Sequence, residues 1–168
     1  MIAIPIKSKT FGEHLFFIDG NDFDLIKDYK WSFVRNRDNN LYVTRGKYNP
    51  IDRKIKSIKL HRFILNCPEG LEVDHIDGNT LNNCRDNLRI CTQMENSRNR
   101  KKSIKSKSSK YKGVYFHKVT NKYLASIKFN KVSKHLGLYK NQEDAAEAYN
   151  KAAKIYHGEF AKLNKIEV

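Results

Sequence analysis

The chain has 168 residues with 39% apolar content, and its 33 Lys and Arg against 18 Asp and Glu leave a formal charge of +15. That suffices for one ordinary domain or two small ones, each with a modest core. Composition excludes a membrane span, which needs ~20 successive apolar residues. It also excludes a disulfide framework, because Cys67, Cys84 and Cys91 are odd in number and at no motif spacing.

The N-terminal stretch MIAIPIKSKTFGEH lacks a basic region followed by a long apolar one, so no signal peptide is read. Within residues 1–60, IAIPIK, HLFFID, WSFV, LYVT and KIKSIKL predict short strands. Asn21-Asp22 before FDLIKDY can cap one short helix, and Asn39-Asn40 and Gly46 through Pro50 read as turns. LHRFIL (60–65) fits a short helix or a continued strand.

Residues 71–100 differ in kind. LEVDHI reads as a strand with Asp74 and His75 near its end, Asp77-Gly78-Asn79 as a turn, and LRIC as a second strand. Thr92 with Glu95 three residues on has the pattern of a capping box that opens a helix. Phosphodiester hydrolysis needs an activated water, charge compensation on the phosphate and help for the leaving oxygen. A histidine can supply the first, and a divalent cation held by hard oxygen ligands the others. Asp74, His75, Asn87 and Asn96 offer those residue types close together. Adjacent strand residues point to opposite faces, so Asp74 and His75 need a bulge or a strand end to share a site. The three thiols read as packing groups of a reducing compartment, and no CxxC pair offers a structural zinc site.

Over LHRFIL…EVDHIDGNTLNNCRDNLRICTQMENSRN (60–99) the chain resembles the HNH (ββα-metal) endonucleases, especially the phage and intron-encoded homing nucleases. The resemblance implies His75 as general base and Asp74 and Asn96 as ligands of one Mg²⁺ or Mn²⁺. It implies Asn87 as the residue that orders the loop by hydrogen bonds. Asn96 stands where many members have a second histidine. His61 and Arg62 precede the motif, where a structural or backbone-contact role is expected.

Charge is unevenly spread. Residues 1–97 hold 15 basic and 13 acidic side chains (+2), and residues 98–168 hold 18 and 5 (+13), with no acid between Asn96 and Gln142. Such asymmetry points to a polyanion, and nucleic acid fits better than a membrane because no basic segment is amphipathic as a helix. KKSIKSKSSK (101–110) reads as a basic linker, with Lys101, Lys102, Lys105 and Lys107 placed to lie along phosphates. Beyond it, KGVYFHK, KYLASIKF and VSKHLGLY predict three strands. NQEDAAEAYNKAAKIYH predicts a helix capped by Asn141 and ended by Gly158. Its stripe Ala145, Ala148, Tyr149, Ala152 and Tyr156 is expected to pack on the apolar sheet face of Val114, Phe116, Tyr123, Ala125, Ile127, Phe129, Val132 and Leu136.

Residues 109–164 resemble the plant ethylene-response-factor (apetala/ERF) DNA-binding domain, through YKGV, the alanine helix and the closing Gly…Asn. By that resemblance Lys112, Tyr115, His117, Ser126, Lys128, Ser133 and His135 would face a DNA groove. The family's usual Arg and Trp are replaced at several of these positions, so bidentate guanine reading is largely lost.

The expected whole is an α+β protein. Residues 1–100 would form an HNH nuclease domain (β-rich 1–59, ββα-metal core 60–100), 101–110 a linker, and 111–168 an ERF-type domain. It would act as a monomeric, site-specific homing endonuclease on double-stranded DNA, in the cytoplasm of a bacterial or phage-infected cell. The alternative is a catalytically silent DNA-binding regulator.

Overall fold

A computed structural model describes residues 1–100 and 108–166. The fold is mixed α+β, with several small antiparallel sheets and few helices. The chain divides into two compact units, Met1–Asn96 and Ser97–Val168. No helix among the described residues is long and apolar enough to cross a membrane.

In the first unit, β1 (Ile2–Ser8) and β2 (Gly12–Ile18) form a hairpin, and β3 (Ser32–Arg35), β4 (Leu41–Asn49) and β5 (Lys54–Lys59) form a meander. Alternation carries Phe16 and Ile18 of β2, Phe33 of β3 and Leu41 and Val43 of β4 inward. They join Ile26, Leu60, Ile64, Val73 and Leu88 in one buried core.

Two local expectations change here and one open alternative is settled. The helix expected over FDLIKDY is only α1 (Phe23–Ile26), preceded by a 3-10 turn, Gly20–Asp22. Asp22 makes no capping bond there, because its carboxylate is taken by Arg85. Gly46 is no turn residue: β4 runs through it, paired with Ser57, and reaches Asn49 before reversing. A Cβ at Gly46 would meet Ile55 Cγ2 at 2.8 Å, so the absent side chain lets β5 stay paired. LHRFIL resolves as a helix, α2 (Leu60–Ile64), ended by Asn66 in the left-handed conformation (φ 46°).

The strands β6 (Glu72–His75) and β7 (Leu88–Cys91) then pair without a bulge, and α3 (Gln93–Asn99) follows. The division between units falls inside α3.

In the second unit, β8 (Val114–His117), β9 (Lys122–Phe129) and β10 (Val132–Tyr139) lie in the order β10-β9-β8, beside α4 (Gln142–His157). Asn141 caps α4 by accepting from Asp144 N. The expected stripe is wider than read: Ala145, Tyr149 and Ala152 are buried, but so are Ala146, Ala153 and His157. Ala148 and Tyr156 are half-buried. Alanines let helix and sheet approach closely, and Gly113 shows how closely. It sits at φ +74°, and a Cβ there would lie 2.0 Å from the Tyr149 ring.

Candidate active site

The hairpin β6–β7 is built so that residues two apart share a face. Glu72 is opposite Cys91 and Asp74 opposite Arg89, so these four share one face, while Val73 and His75 take the other. The Asp74 carboxylate is buried, and Arg89 closes on it with Nε 2.9 Å and Nη2 2.6 Å from the same oxygen, Oδ2. Asn96 reaches this face from α3. Its first turn is fixed by the capping box, with Thr92 N and Oγ1 donating to Glu95 Oε2 and Glu95 N donating back to Thr92 Oγ1. Asn96 N then donates to Thr92 O, and its Nδ2 donates to Glu72 Oε2 at 2.5 Å. Glu72 carried no signal in the sequence beyond its place two residues before Asp74. In the fold it takes the nitrogen end of the Asn96 amide, which leaves the amide oxygen for another partner.

His75 is the last residue of β6 and is still paired with Leu88, so the ladder leaves it on the face opposite Asp74 and no bulge brings the two together. Its ring is buried, edge-on to His61 with centroids 4.9 Å apart, and 6.2 Å from Tyr42. Burial lowers its pKa, opposed by the Asn83 side chain and by Asp77 and Asp74. Burial also drives the His61 pKa down to about 2, assisted by His75. Both rings are therefore held neutral, the form in which an imidazole accepts a proton. Arg62, beside His61, donates to the carbonyls of Leu71, Cys67 and Pro68 and clasps the loop that leads into β6.

The loop between the two strands is ordered by polar groups. Asn87 donates from Nδ2 to Asp77 Oδ1 and to Asn82 O, and its own Oδ1 accepts from Asp77 N. Asp77 also accepts from Asn79 N and Asn82 Nδ2, and these bonds hold its carboxyl below the usual range against the cost of burial. The N-terminal half braces the loop, which sequence reading missed. Phe17 N donates to Leu81 O and Asn83 N donates to Phe17 O, while Thr80 Oγ1 donates to Leu41 O. Arg85 forks onto both oxygens of Asp22.

Asp74 and the amide oxygen of Asn96 are hard donors of the kind that suit Mg²⁺ or Mn²⁺. No group of three or more His, Cys, Asp or Glu stands together as a metal cluster among the described residues. The candidate donor set is thus a carboxylate and an amide. The thiols of Cys84 and Cys91 are pushed up to about 11, chiefly by burial, and stay protonated near neutrality.

In the second unit, the β8–β9–β10 register puts Tyr115, His117, Ser126, Lys128, Ser133 and His135 on the sheet face opposite α4, together with Lys122, Leu124 and Leu138. The register shifts between His135 and Gly137, and Leu136, the extra residue, turns into the core. Lys112 is placed differently. Its ammonium donates to the carbonyls of Arg98 (2.5 Å) and Arg100 (2.7 Å), and burial lowers its pKa to about 8. Lys101, Lys102, Lys105 and Lys107 lie outside the described residues.

Sequence reading also assigned nothing to the β4–β5 ribbon. It carries Lys47, Arg53, Lys54 and Lys56 beside the exposed Tyr48, Ile51 and Ile55. Its one acid, Asp52, is 3.8 Å from Lys56.

The hairpin with its polar-ordered loop, and most of the capped helix after it, lie in the stretch where comparison with known proteins finds a match. Residues 66–98 match the HNH endonuclease family. An uncharacterized HNH endonuclease of Acanthamoeba polyphaga mimivirus is 35% identical over 158 residues, covering 90% of this chain and 75% of the relative. A protein named 3.8 of Escherichia phage T7 is 34% identical over 96 residues, covering 57% of this chain and 78% of the relative. No solved structure gives a significant match. The chain belongs to the HNH endonuclease family.

Proposed function

We propose that the protein is a site-specific, homing-type endonuclease that hydrolyses phosphodiester bonds of double-stranded DNA through a ββα-metal site. The observation that carries this reading is the shared face of β6, β7 and α3. There Asp74 lies two residues from Glu72, and Glu72 holds the Asn96 amide. Asp74 and Asn96 would hold one Mg²⁺ or Mn²⁺, in keeping with the general divalent-metal dependence of HNH nucleases. When bound, that ion compensates charge on the scissile phosphate and on the leaving oxygen. His75, neutral through burial, takes the proton from the attacking water. Asn87 holds the loop that ends at β7, and Glu72 keeps the Asn96 oxygen directed at the site.

Duplex binding is assigned to the ERF-type sheet face of residues 111–168, with Tyr115, His117, Ser126, Lys128, Ser133 and His135 toward a groove, and to the basic segment 101–110. The absence of any acid between Asn96 and Gln142 supports this. The β4–β5 ribbon, basic and apolar at its tip, supports a further contact from the nuclease unit. The protein would act as a monomer, in the cytoplasm of the cell that carries its target.

Incubation of supercoiled plasmid bearing the flanking genomic sequence, with Mg²⁺ and in parallel with EDTA, tests the reading. Metal-dependent nicking or linearisation at a mapped position is expected. Tight duplex binding without cleavage in either buffer would replace it with a catalytically silent regulator.

A further inference from the structure

Two buried carboxylates of the first unit carry an arginine each, and the two pairs differ in form. Arg85 spreads over both oxygens of Asp22 and also donates to Ile64 O, tying three separate segments together. Arg89 instead brings two nitrogens, Nε and Nη2, onto Oδ2 of Asp74, its direct neighbour across the hairpin. Asp74 and Arg89 side chains are only 6% and 14% exposed, so water screens this pair little. Asp74 is therefore charge-compensated without a bound cation.

We propose that Arg89 is the resident counter-charge of the cation site: its guanidinium holds Asp74 Oδ2 until a divalent cation displaces it. Arg89 thereby sets the affinity for that cation. The inference rests on the reading of Asp74 and Asn96 as ligands. A guanidinium hydrogen-bonded to a carboxylate oxygen and a dication coordinated by that oxygen repel one another at this separation. Loading at Oδ2 therefore requires Arg89 to release that oxygen. Both residues sit at one register position on one face, so the long Arg89 side chain can leave Oδ2 by turning about its own bonds while the strand pairing is kept. The counter-charge lets the hairpin fold with a buried carboxylate already satisfied.

Mn²⁺ binding to the full-length protein without DNA, followed by the electron paramagnetic resonance signal of free Mn²⁺, tests this. Arg89→Met keeps the length and removes the charge, and it is expected to bind Mn²⁺ at least about tenfold more tightly than the unaltered protein. Its unfolding temperature in EDTA is expected to drop and to recover more on Mn²⁺ addition than that of the unaltered protein. Unchanged or weaker Mn²⁺ binding by folded Arg89→Met would overturn the proposal and make Arg89 a fixed support of Asp74. Asp74→Asn separates this from the underlying reading. Loss of Mn²⁺ binding there upholds the ligand assignment, and undiminished binding overturns both. If Arg89→Met does not fold, the unaltered protein still decides. The Arg89 Nε–H resonance, assigned by difference with Arg89→Lys, should shift as Mg²⁺ saturates the site, and a resonance that stays in place overturns the proposal.

Discussion

The hairpin β6–β7 and the sheet β8–β10 are both small antiparallel units with a helix following them, yet polar burial weighs far more around the first. Around the hairpin, the buried residues of the first unit include Asp22, Thr44, His61, Asp74, His75, Asn83 and Asn87. The sheet packs Val114, Ala125 and Ile127 against Ala145, Ala146, Tyr149 and Ala153. Apolar packing is tolerant of small shifts, whereas a buried polar group left unpaired costs free energy at once. The first unit accepts that risk where its candidate chemistry sits. The second is an amphipathic platform that frees its outer face for other side chains.

The largest effect expected from breaking this contrast is on chemistry. His75→Ala should reduce cleavage by about 10²–10⁴-fold while duplex binding stays nearly unchanged. Plasmid nicking and gel-shift titration measure the two sides, and full activity would remove His75 from the proton transfer.

Next comes the close approach in the second unit. Gly113→Ala forces a Cβ into the Tyr149 ring at a positive φ and should destabilise that unit by about 3 kcal/mol or more. Denaturant unfolding should show it as a separate early transition, with duplex affinity lost alongside. A single unshifted transition would contradict it.

Asp22→Asn keeps the shape of the brace and removes its charge. Because Arg85 is 51% exposed, the cost should be about 2 kcal/mol, below that of a fully buried pair. It should appear in the first unit alone, by hydrogen exchange at the loop amides of residues 79–87.

Acid provides a graded test of polar burial. His61 and His75 have pKa values lowered in the fold, so the unfolded chain binds protons more readily below its own value near 6.5. Their stabilisation is complete above that pH and is lost as pH falls below it. For His61 the loss continues down toward about 2. Urea midpoints in EDTA should therefore fall from pH 7 to pH 5, and less steeply in His61→Phe. Equal slopes in both proteins would show that His61 is not the titrating group.

The smallest effects sharpen the platform. Lys128→Ala should lower the salt slope of log K by about 0.9, as for one phosphate contact. His135→Ala should leave the slope and alter base preference. Whole-chain variants suit this test, because a cut between the two units would fall within α3.

What the sequence made legible follows the same divide. Periodicity of two and of 3.6 residues, an Asn cap and a closing glycine placed every strand and the helix of the second unit, because each signal is local. The Thr92–Glu95 box and the left-handed Gly78 in the Asp77-Gly78-Asn79 turn were legible for the same reason. Arg85 with Asp22, or Asn83 with Phe17, join residues more than sixty positions apart, and no periodicity announces a long-range polar pair. Glu72 was missed because its use depends on α3 returning Asn96 beside it. Leu136 was placed inward by simple alternation, and it does turn inward, but through a register shift that alternation does not contain.

The backbone of Phe17 takes one hydrogen bond from the loop between β6 and β7 and gives another to it, as if the loop were a third strand laid on the N-terminal hairpin. Residues 66–98, the stretch that carries the family signature, therefore form no transplantable cassette. Grafted into another scaffold they would bring Asp74, His75 and Asn96 without the struts that hold them in place. An N-terminal deletion that spares every signature residue should undo the site as thoroughly as a change within it.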